Sequence, residues 1–262
     1  MTTLQEAARD VLLTSDAAEK AKAGRLLASA WRDGALLLAD HVAMPQRPAR
    51  PERPVLVAPR GVKKRKVTAA REGRIALLHA LAHIELNAID LAADLIGRFG
   101  APERAFADDW VRVLDEESKH FLLLADRLAA LGAGYGDLPA HDGLWQAAEV
   151  TAHDLLARLA VVPLVLEARG LDVTPAMIAK LEAAGDADSA AALRAIYDDE
   201  IGHVAIGRRW FETEATHRGL PIRETWQALV RQHFRGALKP PFNAAARDAA
   251  GLPAAFYLEL AA

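Results

Sequence analysis

The chain has 262 residues, a formal net charge of −3, 52% apolar residues and no cysteine. Near-balanced charge supplies no global field for nucleic acid or a membrane surface, and the lack of cysteine excludes disulfides and thiolate metal sites. Richness in Ala and Leu, with little β-branched alternation, predicts an all-α protein.

The N-terminus, "MTTLQEAARDVLLTSD", has early acids and no long apolar run, so no signal peptide is expected and the reading is cytoplasmic. No uncharged stretch reaches membrane-spanning length, so no membrane partner is expected. Residues 3–40 read as two short amphipathic helices, the second capped by Ser15 or Asp16. Residues 44–66, "MPQRPARPERPVLVAPRGVKKRK", hold five prolines and read as an extended connector. A long helix is predicted from an N-cap at Thr68 to a stop at Gly100, and a second from Pro102 to about Leu131. "GAGYGDLPAHDG" breaks the chain. A third helical region ends at Gly170, and Thr174-Pro175 opens a short helix that stops at Gly185. Helices over about 188–217 and 222–235 follow, and the tail beyond "KPPFN" has no clear pattern. The grouping is 1–66, two helices and a proline-rich arm packing on the bundle; 67–218, a four-helix bundle; and 219–262, a helix and tail.

The chemistry lies on apolar helix faces. Glu85 shares a stripe with Leu78, Leu81, Ile89, Ala92 and Ile96. Glu117 and His120 share one with Trp110, Val113, Leu114, Phe121 and Leu124. Glu167 sits with Leu156, Ala160, Pro163 and Leu164, while Glu200 and His203 sit with Leu193, Ile196, Val204, Gly207 and Phe211. Residues three and four apart lie on one face, so all six polar groups are expected to point inward. A buried, uncompensated carboxylate costs several kcal/mol, so something must neutralise these.

Spacing adds to the case. Glu85 and Glu117 are 32 residues apart, Glu167 and Glu200 are 33 apart, and only the second of each pair has a histidine three residues on. Chance pairing of nine histidines with sixteen glutamates gives about half of one Glu-x-x-His. An exposed Glu–His pair would explain either motif alone. Their repetition on matched apolar faces instead gives four carboxylates and two imidazoles, the ligand set of dinuclear iron or manganese carboxylate bundles. The predicted fold is therefore a ferritin-like four-helix bundle with extra N-terminal helices and a proline-rich connector. The predicted cofactor is two metal ions, iron or manganese.

Glu149, with His153 four residues on, competes with Glu167, but its stripe of Asp142, Gln146 and His153 reads as solvated. A third helix starting at Asp142 would also put Glu167 about 37 Å along it at 1.5 Å per residue, too deep to match Glu117. That helix is expected to start near Thr151–Asp154, leaving 132–150 as a crossover with a short helical piece at "LWQAAEV". His83, two residues from Glu85, points away and is read as packing on another element. Tyr197 lies on the face of Glu200 and can hydrogen-bond a ligand or bound oxygen species, or be a core tyrosine. The "KKRK" run at 63–66 reads as solvated, and Trp210 and Phe211 read as core.

"HALAHIELNAIDLAADL", "DEESKHF", "LEARGLDVTP" and "IYDDEIGHVAIGRRWF" resemble an uncharacterised ferritin-like family known as a domain of unknown function, over roughly residues 65–215. More distantly, "LEARG" and the Glu/Glu-x-x-His order are similar to the tRNA hydroxylase family MiaE. That resemblance implies a di-iron centre held by Glu85, Glu117, His120, Glu167, Glu200 and His203, with O2 as co-substrate and a small-molecule or nucleoside substrate, tRNA included. The electron donor stays open. Three function classes follow: an O2-activating oxidase or hydroxylase; a ferroxidase, peroxidase or iron-handling protein, against which the long N-terminal arm argues; and a binding module with a structural metal, for which two Glu-x-x-His sets are more than is needed.

Overall fold

The computed structural model describes residues 2–39, 41–58, 70–100 and 103–262. The protein is all-α: among the described residues there is no strand, only isolated bridges such as Leu56–Ala140. Its chain divides into two compact units, one of Met1–Trp145 with Lys180–Ala192, the other of Gln146–Ala179 with Leu193–Ala262.

In the first unit, α1 (Leu4–Leu13) starts at a capping box between Thr3 and Glu6, and α2 (Ala17–Arg32) at Asp16, whose carboxylate accepts the Glu19 N–H at 2.9 Å. Helices α3 (Arg71–Phe99) and α4 (Arg104–Ala130) pack on each other, with α1 against α3 and α2 against α4. Ala70 occupies the N-cap of α3 with no side-chain bond, while the expected cap Thr68 lies outside the described residues, as do Ala101, Pro102 and the "KKRK" run. Gly100, at φ +67°, ends α3 in the left-handed region that glycine tolerates. Helix α3 is long and apolar enough to cross a membrane, but 72% of its most apolar window is buried, as in a core helix.

Buried charge ties the N-terminal helices and the arm to α3. Lys20, fully buried, donates to Asp90 and to the carbonyls of Ala49 (2.9 Å) and Leu12 (3.3 Å). Arg50 reaches Asp90 Oδ2 at 2.9 Å and Asn87 at 2.7 Å. The arm then pairs with the loop after α4, Val57 N–H bonding the Ala140 carbonyl at 2.8 Å. That loop is held from beneath by α3. His83 meets Tyr135 Oη at 2.8 Å and the His141 carbonyl at 3.1 Å, and His79 accepts the Gly136 N–H at 3.0 Å. His83 thus packs on another element, as expected, and burial lowers its pKa to about 4. The turn after Ala183 is pinned by Arg74 and Arg127, which reach Asp186 at 2.8 and 3.4 Å.

In the second unit, a short helix α5 (Gly143–Val150, whose first turn lies in the first unit) forms the helical piece expected at "LWQAAEV". Asp154 then caps α6 (Leu155–Val161), which starts where the crossover argument puts it. The next segment departs from expectation. Val162–Glu167 is a π-helix that runs directly into α7 (Ala168–Ala183), with no break at Gly170 and with Pro175 inside the helix. Tertiary contacts override the local breakers: Leu171 is fully buried, and Asp172 is gripped by Arg247. Helix α8 (Ala187–His217) follows, then α9 (Ile222–His233), whose fully buried Trp226 donates to the Ala160 carbonyl at 3.0 Å. The tail, unassigned from sequence, forms α10 (Ala244–Ala249), α11 (Ala254–Tyr257) and a 3-10 turn.

Candidate metal centre

The first unit assembles three of the six predicted side chains. Glu85 sits midway along α3, between the fully buried Leu78 and Ile89; Glu117 and His120 sit on α4 between Leu114 and Phe121. Glu117 and His120 are fully buried and Glu85 is 4% exposed. His120 Nδ1 lies 3.4 Å from Glu85 Oε2 and 3.5 Å from Glu117 Oε2. One ligand atom from each of the three lies within 4.8 Å of the others, which makes the group able to hold a metal ion.

Electrostatics favour a cation there. Burial, and then the Glu117 carboxylate beside it, push the Glu85 carboxyl well above the usual carboxylate range, and His120 only partly offsets this. Glu85 Oε2 is buried without a hydrogen-bond partner among the described residues. Two hard oxygen donors and a borderline imidazole nitrogen, with one oxygen unsatisfied, fit a first-row divalent ion.

The second unit carries the other three, less deeply. His203 is fully buried on α8, its Nδ1 3.8 Å from Glu200 Oε1. Glu200 keeps 13% side-chain exposure, and Glu167 is partly buried. Glu167 is the last residue of the π segment, where Pro163 has no N–H to give and the main-chain ladder loosens. Such bulges recur at functional sites. The competing Glu149 is exposed on α5, and His153 meets the His233 ring at a 49° tilt, 5.4 Å between ring centres. Tyr197 Oη accepts a hydrogen bond from Asn243 Nδ2 at 2.9 Å, a partner 46 residues away that no local pattern announces. Trp210 and Phe211 are core, as read.

Residues 13–258 match the family described as "Protein of unknown function (DUF455)". The chain belongs to this family. A relative from Haemophilus influenzae, described as an uncharacterized protein, is 46% identical over 208 residues, which cover 77% of this chain and 72% of the relative. No solved structure matches. The DUF455 match spans all six glutamates and histidines of the two sets.

Proposed function

We propose that the chain is a dinuclear metal-carboxylate protein, holding iron in preference to manganese, that activates O2 to oxidise or hydroxylate a small-molecule or nucleoside substrate. The observation that carries this is the buried trio Glu85, Glu117 and His120, with its ligand atoms within 4.8 Å of one another. Glu167, Glu200 and His203 repeat the same order of types at nearly the same spacing and supply the second set. The distant resemblance to MiaE extends the substrate class to nucleosides in tRNA.

Glu85, Glu117, His120, Glu167, Glu200 and His203 would hold the ions, which as ferrous iron would supply electrons to O2. The chain's own residues do the rest. The four carboxylates balance the cationic charge, and the two imidazoles present Nδ1 toward them. Leu78, Ile89, Leu114 and Phe121, all at or below 1% exposure, keep water from the first trio and so strengthen its electrostatics. Metal analysis of protein made in iron-replete cells, followed by O2 uptake with a chemical reductant, tests the proposal. It expects about two equivalents of metal and O2 consumption lost in His120→Ala. Metal at background level in the wild-type chain refutes it.

A further inference from the structure

The C-terminal tail grips both elements that carry Glu167 and Glu200. Arg247, 2% exposed, places Nε 2.8 Å from Asp172 Oδ1 and Nη2 2.7 Å from Oδ2. The same Nη2 reaches the carbonyl of Ala168, the residue after Glu167, at 3.4 Å. Phe242 and Tyr257 present their rings to its guanidinium at 5.1 and 4.5 Å. Asn243 is the second anchor. Its main-chain N–H bonds Asp172 Oδ1 at 3.0 Å, and its Nδ2 donates to the Leu171 carbonyl at 3.2 Å and to Tyr197 Oη at 2.9 Å. Tyr197 lies three residues before Glu200, so it is one helical turn away on the same face. Arg169 adds bonds to the carbonyls of Lys239 and Pro241 at 2.6 and 3.1 Å.

A buried ion pair is a weak source of net stability, because desolvating both partners offsets most of the attraction. A bidentate Arg–carboxylate fork does fix geometry, since both planar groups must align. The fork here lies within five residues of Glu167, at a π-to-α junction where the helix alone leaves the path loose. We infer that Arg247 and Asn243 are positioning residues for the Glu167, Glu200 and His203 set, and that tail docking and metal occupancy are coupled. The inference rests on the metal reading above. Linkage makes it reciprocal: a docked tail raises metal affinity, and bound metal tightens the tail by the same factor.

The test titrates the full chain with Mn2+ or Co2+ alone and follows hydrogen exchange over residues 239–257. Wild type should bind two equivalents, with exchange in the tail slowed by metal. Arg247→Ala should keep the equivalent that Glu85, Glu117 and His120 hold and weaken the other by about 10- to 100-fold, the usual effect of losing a group that orients a ligand. Arg247→Lys, which keeps the charge and loses the fork, should fall between. Tyr197→Phe removes one hydroxyl and keeps the ring, so it stands if Arg247→Ala does not fold, and it should weaken the same equivalent by a smaller factor. Selective loss of one equivalent is not what a general loss of stability produces. Both equivalents bound as in wild type by the variants, with tail exchange raised, overturns the inference and leaves the metal reading intact. Wild type that binds no metal overturns both.

Discussion

Replacing Gly207 with alanine probes the second ligand set with one carbon atom. Gly207 lies one turn past His203 on α8, against the π segment. A Cβ there would stand 2.5 Å from Pro163 Cγ and closer still to Pro163 Cβ. The pyrrolidine ring cannot rotate away, so the two segments must part. Reaching an ordinary carbon–carbon contact of about 3.5 Å requires an opening of about 1 Å. Two opposing terms set the stability. Alanine gains about 1 kcal/mol of helix propensity over glycine, and overpacking a tight contact costs about 1–3 kcal/mol. The net change should be a loss of about 0–2 kcal/mol, read by urea unfolding of the metal-free protein. Metal binding should respond far more, because ligand distances tolerate only about 0.2 Å. A 1 Å shift between Pro163, four residues before Glu167, and α8, which bears Glu200 and His203, exceeds that tolerance several-fold. Titration with Mn2+ or Co2+ should show one equivalent retained and one lost. Gly207→Ala that is stabilised by about 1 kcal/mol and still binds both equivalents refutes the reasoning, since the contact would then be soft and the set not built on it.

Glu167→Ala should lose metal and Glu149→Ala, at an exposed position, should keep it; the reverse pattern in elemental analysis would overturn the ligand choice. The metal-free protein should melt below the metal-bound form at pH 7, with the gap narrowing toward pH 5. The sign follows from Glu85. Its folded-state pKa lies above the unfolded value of 4.5, so the folded metal-free chain binds the extra proton, and its stability rises as pH falls through the folded pKa toward 4.5. Metal also competes less well as ligands protonate, and calorimetry of both forms across that range checks the two effects together. Lys20→Met should destabilise by about 3 kcal/mol in urea unfolding, because it strips a partner from the buried Asp90, and adding Asp90→Asn should recover part of that. Neither change should alter metal stoichiometry.

What was legible in the sequence was local. Asp16 caps α2 because a carboxylate before an amphipathic run satisfies orphan N–H groups, and that signal needs no partner. Helices α8 and α9 begin and end within two residues of their apolar periodicity. The approach of His120 to Glu85 follows from the 32-residue spacing once α3 and α4 fold back on each other, since a hairpin brings equal heights together. What was not legible depends on partners far along the chain. Gly170 and Pro175 read as breakers, yet α7 runs through both, held at Asp172 by an arginine 75 residues away. The π segment needs Pro163 to loosen the ladder and Gly207 to admit the ring, and those two are 44 residues apart. Each alone suggests nothing more than a stripe residue in a helix. Their pairing explains why Glu167 ends a π segment, whereas Glu200 and His203, like the first set, lie on regular α-helix. A site built that way depends on tertiary contacts for its geometry, so changes at Gly207, Asn243 and Arg247 should move its metal affinity more than they move the fold.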